Sequence, residues 1–102
     1  MERGGCIYIM TNYTRTTYYT GVTSDLYARI MEHKGDKYPN SFTSRYKLKY
    51  CVYFEALFTI EEAIAREKQV KKYRREKKEA LINSINPKWE DLWEIIKDWE
   101  AG

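Results

Sequence analysis

The 102-residue chain lacks most of what would mark an enzyme at first sight. It has two cysteines, Cys6 and Cys51, and no CxxC or Cys/His spacing, which excludes a structural zinc site. No serine or cysteine stands at a recognisable distance from a base, so a hydrolytic triad is not expected. No apolar run approaches the ~18 residues of a membrane span. The apolar stretch after Met1-Glu2-Arg3 is too short for an export signal. Repeats and low-complexity tracts are absent. The net charge of +3 says little about partners. Both cysteines lie in apolar, strand-like runs, so two buried thiols in a reducing, cytoplasmic setting are expected.

Aromatic side chains are abundant, at 16% of residues, and ten of them are tyrosine. Tyrosine joins apolar area to a terminal hydroxyl, which suits a surface that must be both adhesive and polar. The length fits one domain, residues 1–102, with one modest core.

The chain turns on residues 6–33. Cys6-Ile7-Tyr8-Ile9-Met10 is apolar except for one hydroxyl and predicts a central strand. A polar turn over 11–16 leads into Thr17-Tyr18-Tyr19-Thr20, a second strand that Gly21 ends. Glycine here permits a positive φ or the close approach of another group. Thr23 or Ser24 caps a helix with Asp25 in its first turn, running to Lys34, with Leu26, Ile30 and His33 inward.

Residues 35–47 show no period and predict a long loop. Lys37, Arg45 and Lys47 are interleaved there with Tyr38, Phe42 and Tyr46, a mixture that suits a nucleic-acid backbone and its bases, or an ordinary surface loop. A third strand covers 48–54. Thr59 and Glu62 form a capping box for a long helix reaching Lys77 or beyond. Its inward stripe is Ile60, Ala63, Ile64, Glu67 and Val70, continuing to Tyr73 or Arg74. Glu67 is the anomaly, because a carboxylate on the sheet-facing side needs a partner or a task. From Arg66 to Lys78 eight basic and two acidic residues give +6 over 13 positions. Lys71, Lys72, Arg74 and Arg75 belong to that run and are candidate phosphate contacts.

Asn86-Pro87 reads as cap and first residue of a last helix, Lys88 to Trp99, with Trp89, Leu92, Trp93, Ile96 and Trp99 on one side. Glu90, Asp91, Glu94 and Asp98 are then solvent-facing. The pieces predict an α+β domain of the α/β class, a small three-stranded, mainly antiparallel sheet flanked by helices in the order β-β-α-β-α-α.

The unusual residues suit phosphodiester hydrolysis with one divalent ion. Arg29 and His33, four apart, share one helix face. Tyr8 and Tyr19 come from adjacent strands and can face each other. Glu67 would supply the protein's carboxylate to Mg²⁺ or Mn²⁺, with water and phosphate completing the shell. Arg29 would neutralise phosphoryl charge, and a tyrosine or His33 would take a proton from water. Each residue also has a structural alternative. Arg29 and Glu67 could form an interhelical salt bridge, His33 could be a helix-dipole partner, Tyr8 could be core and Asn86 could be only a cap.

This pattern resembles the GIY-YIG nucleases, most closely the small stand-alone bacterial members. Cys6-Ile7-Tyr8 stands for the first signature and Tyr19-Thr20-Gly21 for the second. Arg29 follows Gly21 by eight residues and His33 follows Arg29 by four. Glu67 matches the metal-binding glutamate, and Lys71-Lys72-Tyr73-Arg74 and Asn86-Pro87-Lys88-Trp89 match the later segments. The resemblance implies metal-dependent cleavage of DNA in repair or recombination, leaving a 5′-phosphate and a 3′-hydroxyl. It implies weak sequence specificity or selection by DNA structure, with branched or single-stranded substrates or a protein partner guiding selection. It also implies that Tyr8 is a general base, that Tyr19 orients water or phosphate, and that Asn86 braces the site. Cys6 and Thr20 depart from the signatures, and Val22 stands where excision-repair relatives carry lysine. The alternatives are a nucleic-acid-binding module without catalysis, or an interaction domain of a repair complex using the tryptophan stripe.

Overall fold

The computed structural model describes residues 4–99. The stretch in which no export signal is expected begins with three residues outside that range. Strands β1 (Gly5–Thr11), β2 (Tyr18–Thr23) and β3 (Tyr50–Leu57) form one antiparallel sheet in the order β2-β1-β3. Helices α1 (Leu26–Lys34), α3 (Ile60–Lys71) and α4 (Arg75–Ile85) accompany it, with two short helical segments, α2 (Phe42–Arg45) and α5 (Trp93–Ile96). The expected α+β architecture is therefore present, with two additional short turns of helix. Among the described residues no helix is long and apolar enough to cross a membrane.

β1 is the central strand and every one of its residues is buried. Cys6, Tyr8 and Met10 point to a core shared with Leu26, Ile30, Leu48, Cys51, Leu92 and Ile96. Ile7 and Ile9 point to the opposite core, with Val52, Ala63, Val70 and Ile82. Burial on both faces is why the strand reads as one continuous apolar run. α1 and α5 thus cover one face, and α3 and α4 the other.

Several local expectations need correction. β2 continues through Gly21 to Thr23, so the glycine lies inside the strand with no positive φ. β3 starts two residues later than expected and runs on to Leu57. The α1 cap is Asp25, whose carboxylate accepts from Ala28 N at 3.1 Å, rather than Thr23 or Ser24. The 35–47 loop contains α2, capped by the Ser41 hydroxyl. The Thr59–Glu62 capping box is present. The long helix, however, ends at Lys71, and a new one begins after Arg74, whose ψ of 162° is extended. Tyr73 packs into the α3-side core at that break. Ile64, placed inward by its period, is 40% exposed.

The largest correction concerns Asn86. It closes α4 at its C-terminus instead of opening a helix at Pro87, and α5 is confined to Trp93–Ile96. The β1–β3 register steps from Ile9↔Tyr53 to Met10↔Cys51, which leaves Val52 as an extra residue. Asn86 Nδ2 donates to Val52 O at 3.1 Å and to Glu90 O at 2.8 Å, and its Oδ1 accepts from Glu90 N at 3.0 Å. Asp91 is not simply solvent-facing: it accepts from Cys51 N at 3.1 Å and pairs with Lys34. The tryptophans divide between the two cores, with Trp93 and Trp99 on one side and Trp89 on the other. They do not form the exposed stripe that an interaction surface would need.

Candidate active site

Three aromatic side chains meet where β1, β2 and α1 converge. The Tyr8 and His33 rings lie 5.5 Å apart, Tyr19 and His33 5.9 Å, and Tyr8 and Tyr19 6.2 Å. Tyr8 faces Gly21 across the strands, while Tyr19 pairs with Met10. The two tyrosines are therefore diagonal neighbours rather than directly opposed. A Cβ on Gly21 would lie 2.5 Å from Tyr8 Cζ and 2.9 Å from a Tyr19 ring carbon. Gly21 thus serves close approach of the rings, not a left-handed turn.

The Tyr8 hydroxyl is hydrogen-bonded to His33 Nε2 at 2.9 Å, and His33 Nδ1 to Thr43 Oγ1 at 3.0 Å. Burial, followed by the neighbouring Tyr19, raises the Tyr8 pKa well above the ordinary phenol value. Burial, followed by the Arg29 charge, lowers His33 to about 4 against an opposing pull from Glu32. Both groups are therefore neutral near pH 7.

Beside them opens a cleft of about 170 Å³ lined by Tyr19, Arg29, His33, Tyr38, Phe42 and Thr43, among others. Among the described residues Arg29 makes one ion pair, at 3.4 Å to Glu32 on the same helix. Such an exposed pair is worth only tenths of a kcal/mol, so the guanidinium remains available to an anion. The salt bridge envisaged between Arg29 and Glu67 is not formed.

Glu67 is buried at 8% exposure on α3, and its carboxylate pairs with Lys71 Nζ at 2.9 Å. That contact raises the Lys71 pKa. Glu67 is not among the residues lining the cleft. Asn86 makes its side-chain bonds to the backbone of Val52 and Glu90 and does not line the cleft.

The basic candidates divide into tethered and untethered groups. Lys37 is held by Glu32 at 3.2 Å, and Arg75 pairs with Glu79 and stacks on Tyr18 with its guanidinium 4.3 Å from the ring centre. Arg45, Lys47, Lys72 and Arg74 are exposed and make no ion pair among the described residues. No group of three or more His, Cys, Asp or Glu that could hold a metal occurs among them either. Sequence reasoning did not single out Thr43 or Ser41. Their only signal is the serine cap of α2, and the contact to His33 crosses ten residues of chain without periodicity.

A family model described as the GIY-YIG catalytic domain matches residues 4–80. A UPF0213 protein of Haloquadratum walsbyi is 39% identical over 66 residues, which covers 62% of this chain and 70% of the relative. No solved structure matches.

Proposed function

The chain belongs to the GIY-YIG family of nucleases, and on that premise we propose that it is a divalent-metal-dependent DNA endonuclease acting as a single cytoplasmic domain. It hydrolyses a phosphodiester bond during repair or recombination, with selection by DNA structure or weak sequence preference. The observation that carries the reading is the Tyr8–His33 hydrogen bond at 2.9 Å beside a cleft that Arg29 borders.

A neutral, buried phenol can take a proton from water only if its own proton has somewhere to go. His33 Nε2 supplies that place for Tyr8. Tyr19 orients the water or the phosphate, and Arg29 offsets charge developing on the phosphoryl oxygens. The water oxygen bonds to phosphorus as the P–O3′ bond breaks, leaving a 5′-phosphate and, once the departing oxygen has taken a proton from solvent, a 3′-hydroxyl. Arg45, Lys47, Lys72 and Arg74 contact phosphates away from the cut, with Lys37, Lys71 and Arg75 as further candidates. Asn86 braces the turn beside β3.

One carboxylate fits an Mg²⁺ or Mn²⁺ ion whose other ligands are water and phosphate, and Glu67 is the residue that would hold it. The bound ion would polarise the phosphoryl group. Lys71 competes with the ion for that carboxylate. That ion pair also favours a second reading, a DNA-binding module without catalysis.

The test is incubation with nicked, branched and single-stranded DNA in the presence of Mg²⁺, Mn²⁺ or EDTA. Metal-dependent cleavage is expected, reduced ~100-fold or more in Glu67→Gln with DNA binding retained. Salt-sensitive binding without cleavage would select the second reading.

A further inference from the structure

The Tyr8–His33–Thr43 chain has two possible proton arrangements, and hydrogen-bond accounting distinguishes them. A neutral imidazole has one N–H and one lone pair, so its two neighbours must be one donor and one acceptor. In the first arrangement Tyr8 O–H donates to Nε2, and Nδ1–H donates to Thr43 Oγ1. In the second, Nε2–H donates to the Tyr8 oxygen and the Thr43 hydroxyl donates to Nδ1.

Tyr8 is 1% exposed, and among the described residues its hydroxyl has a single hydrogen bond, to His33. The second arrangement, or a doubly protonated ring, would use that contact to donate to Tyr8. The buried phenol proton would then have no acceptor, at a cost of ~1–3 kcal/mol. The first arrangement leaves nothing unsatisfied. Thr43 accepts from Nδ1 and passes its own proton to Ser41 Oγ at 3.2 Å. Thr43 is itself 4% exposed and is held in place by α2, whose Ser41 cap accepts from Ser44 N at 3.3 Å.

We infer that the buried Tyr8 hydroxyl holds His33 as the Nδ1–H tautomer and that Thr43 is a positioning residue, the acceptor that anchors Nδ1–H and aims the Nε2 lone pair at the Tyr8 proton. Its catalytic consequence rests on the nuclease reading; the tautomer does not. The 35–47 segment thereby acquires a function other than DNA contact. It carries the hydroxyl that points the imidazole lone pair at Tyr8.

The experiment is long-range ¹H–¹⁵N NMR of the imidazole, which is unambiguous because His33 is the sole histidine. In the wild type, Nδ1 should show the shift of a protonated nitrogen and Nε2 that of an acceptor. Thr43→Val removes the acceptor, so the ring should stay Nδ1–H while its Nδ1–H proton shifts upfield and exchanges faster with solvent, and Thr43→Ser should restore the wild-type pattern. A wild-type ring in the Nε2–H form would overturn the inference. So would a folded Thr43→Val whose Nδ1–H proton is unchanged in shift and exchange. If cleavage is observed, Thr43→Val should lower kcat by ~10-fold or more with KM little changed, up to the ~10²–10⁴-fold that a positioned proton acceptor contributes, and Thr43→Ser should recover it. Absence of cleavage with the expected tautomer would count against the nuclease reading and leave this inference standing.

Discussion

The Tyr8 ring lies against the bare Cα of Gly21, its partner across the β1–β2 ladder, so closely that an added Cβ would collide with both the hydroxyl and Cζ. The strand conformation itself would accept any residue, since φ is not positive at Gly21. Glycine is required by the neighbouring ring. Gly21→Ala should therefore cost ~1–3 kcal/mol in urea unfolding, the usual range for overpacking. It should also separate Tyr8 from His33, visible as a changed His33 ring spectrum. Wild-type stability in Gly21→Ala would mean that the ring has room to move.

His33 gives a pH dependence of known sign. Its pKa is about 4 in the fold against 6.5 for the ordinary imidazole. Between those values the unfolded chain binds the extra proton, so stability falls as pH drops from 6.5 toward 4 and levels off below that. It is fully present above 6.5. Arg29, Glu32, Tyr8 and Tyr19 are the ionisable groups around the ring. The ring remains partly solvated, so the expected loss is ~1–2 kcal/mol rather than the full value of the pKa difference. The stability gap between wild type and His33→Asn should shrink by that amount from pH 7 to pH 4.5. A constant gap would show that the imidazole titrates normally in the fold.

Features carried by local chemistry were legible in the sequence. The Thr59–Glu62 box depends on four residues, and the burial of Glu67 follows from the helical period of α3. Features set by distant partners were not. All residues from Lys71 to Lys78 except Tyr73 are charged, and none is glycine or proline, so nothing local announces the break between α3 and α4. Asn86-Pro87 carries a sound helix-start signal, but the carbonyl of Val52 beside the register shift receives the asparagine amide instead. Four of the six candidate residues, Tyr8, Tyr19, Arg29 and His33, are brought to one place. Glu67 stands on α3, which packs on the opposite face, and does not line their cleft.

Thr20 stands where the resemblance has isoleucine, and its hydroxyl is the one buried side-chain oxygen or nitrogen among the described residues without a hydrogen-bond partner. Replacing it by the near-isosteric valine removes a desolvated polar group and leaves packing volume almost unchanged. Thr20→Val should raise stability by ~1 kcal/mol in chemical denaturation. Destabilisation would show that the hydroxyl acquires a partner in solution.

Asn86 offers the sharpest separation of a structural from a chemical role. Its amide serves two carbonyls and one N–H, joining β3 to the 86–90 turn while 4% exposed. Asn86→Ala would leave the buried Val52 and Glu90 groups without these partners, at ~2–4 kcal/mol in total. Asn86→Asp keeps the acceptor but loses the donor that two carbonyls use, so it should be similarly unstable near neutral pH. A bracing residue therefore predicts a large drop in unfolding midpoint for both variants, with cleavage by the remaining folded protein reduced less than tenfold. A catalytic residue predicts the reverse, near-normal stability with cleavage lost. Measuring denaturation midpoints beside cleavage rates at a temperature where both variants remain folded decides between the two.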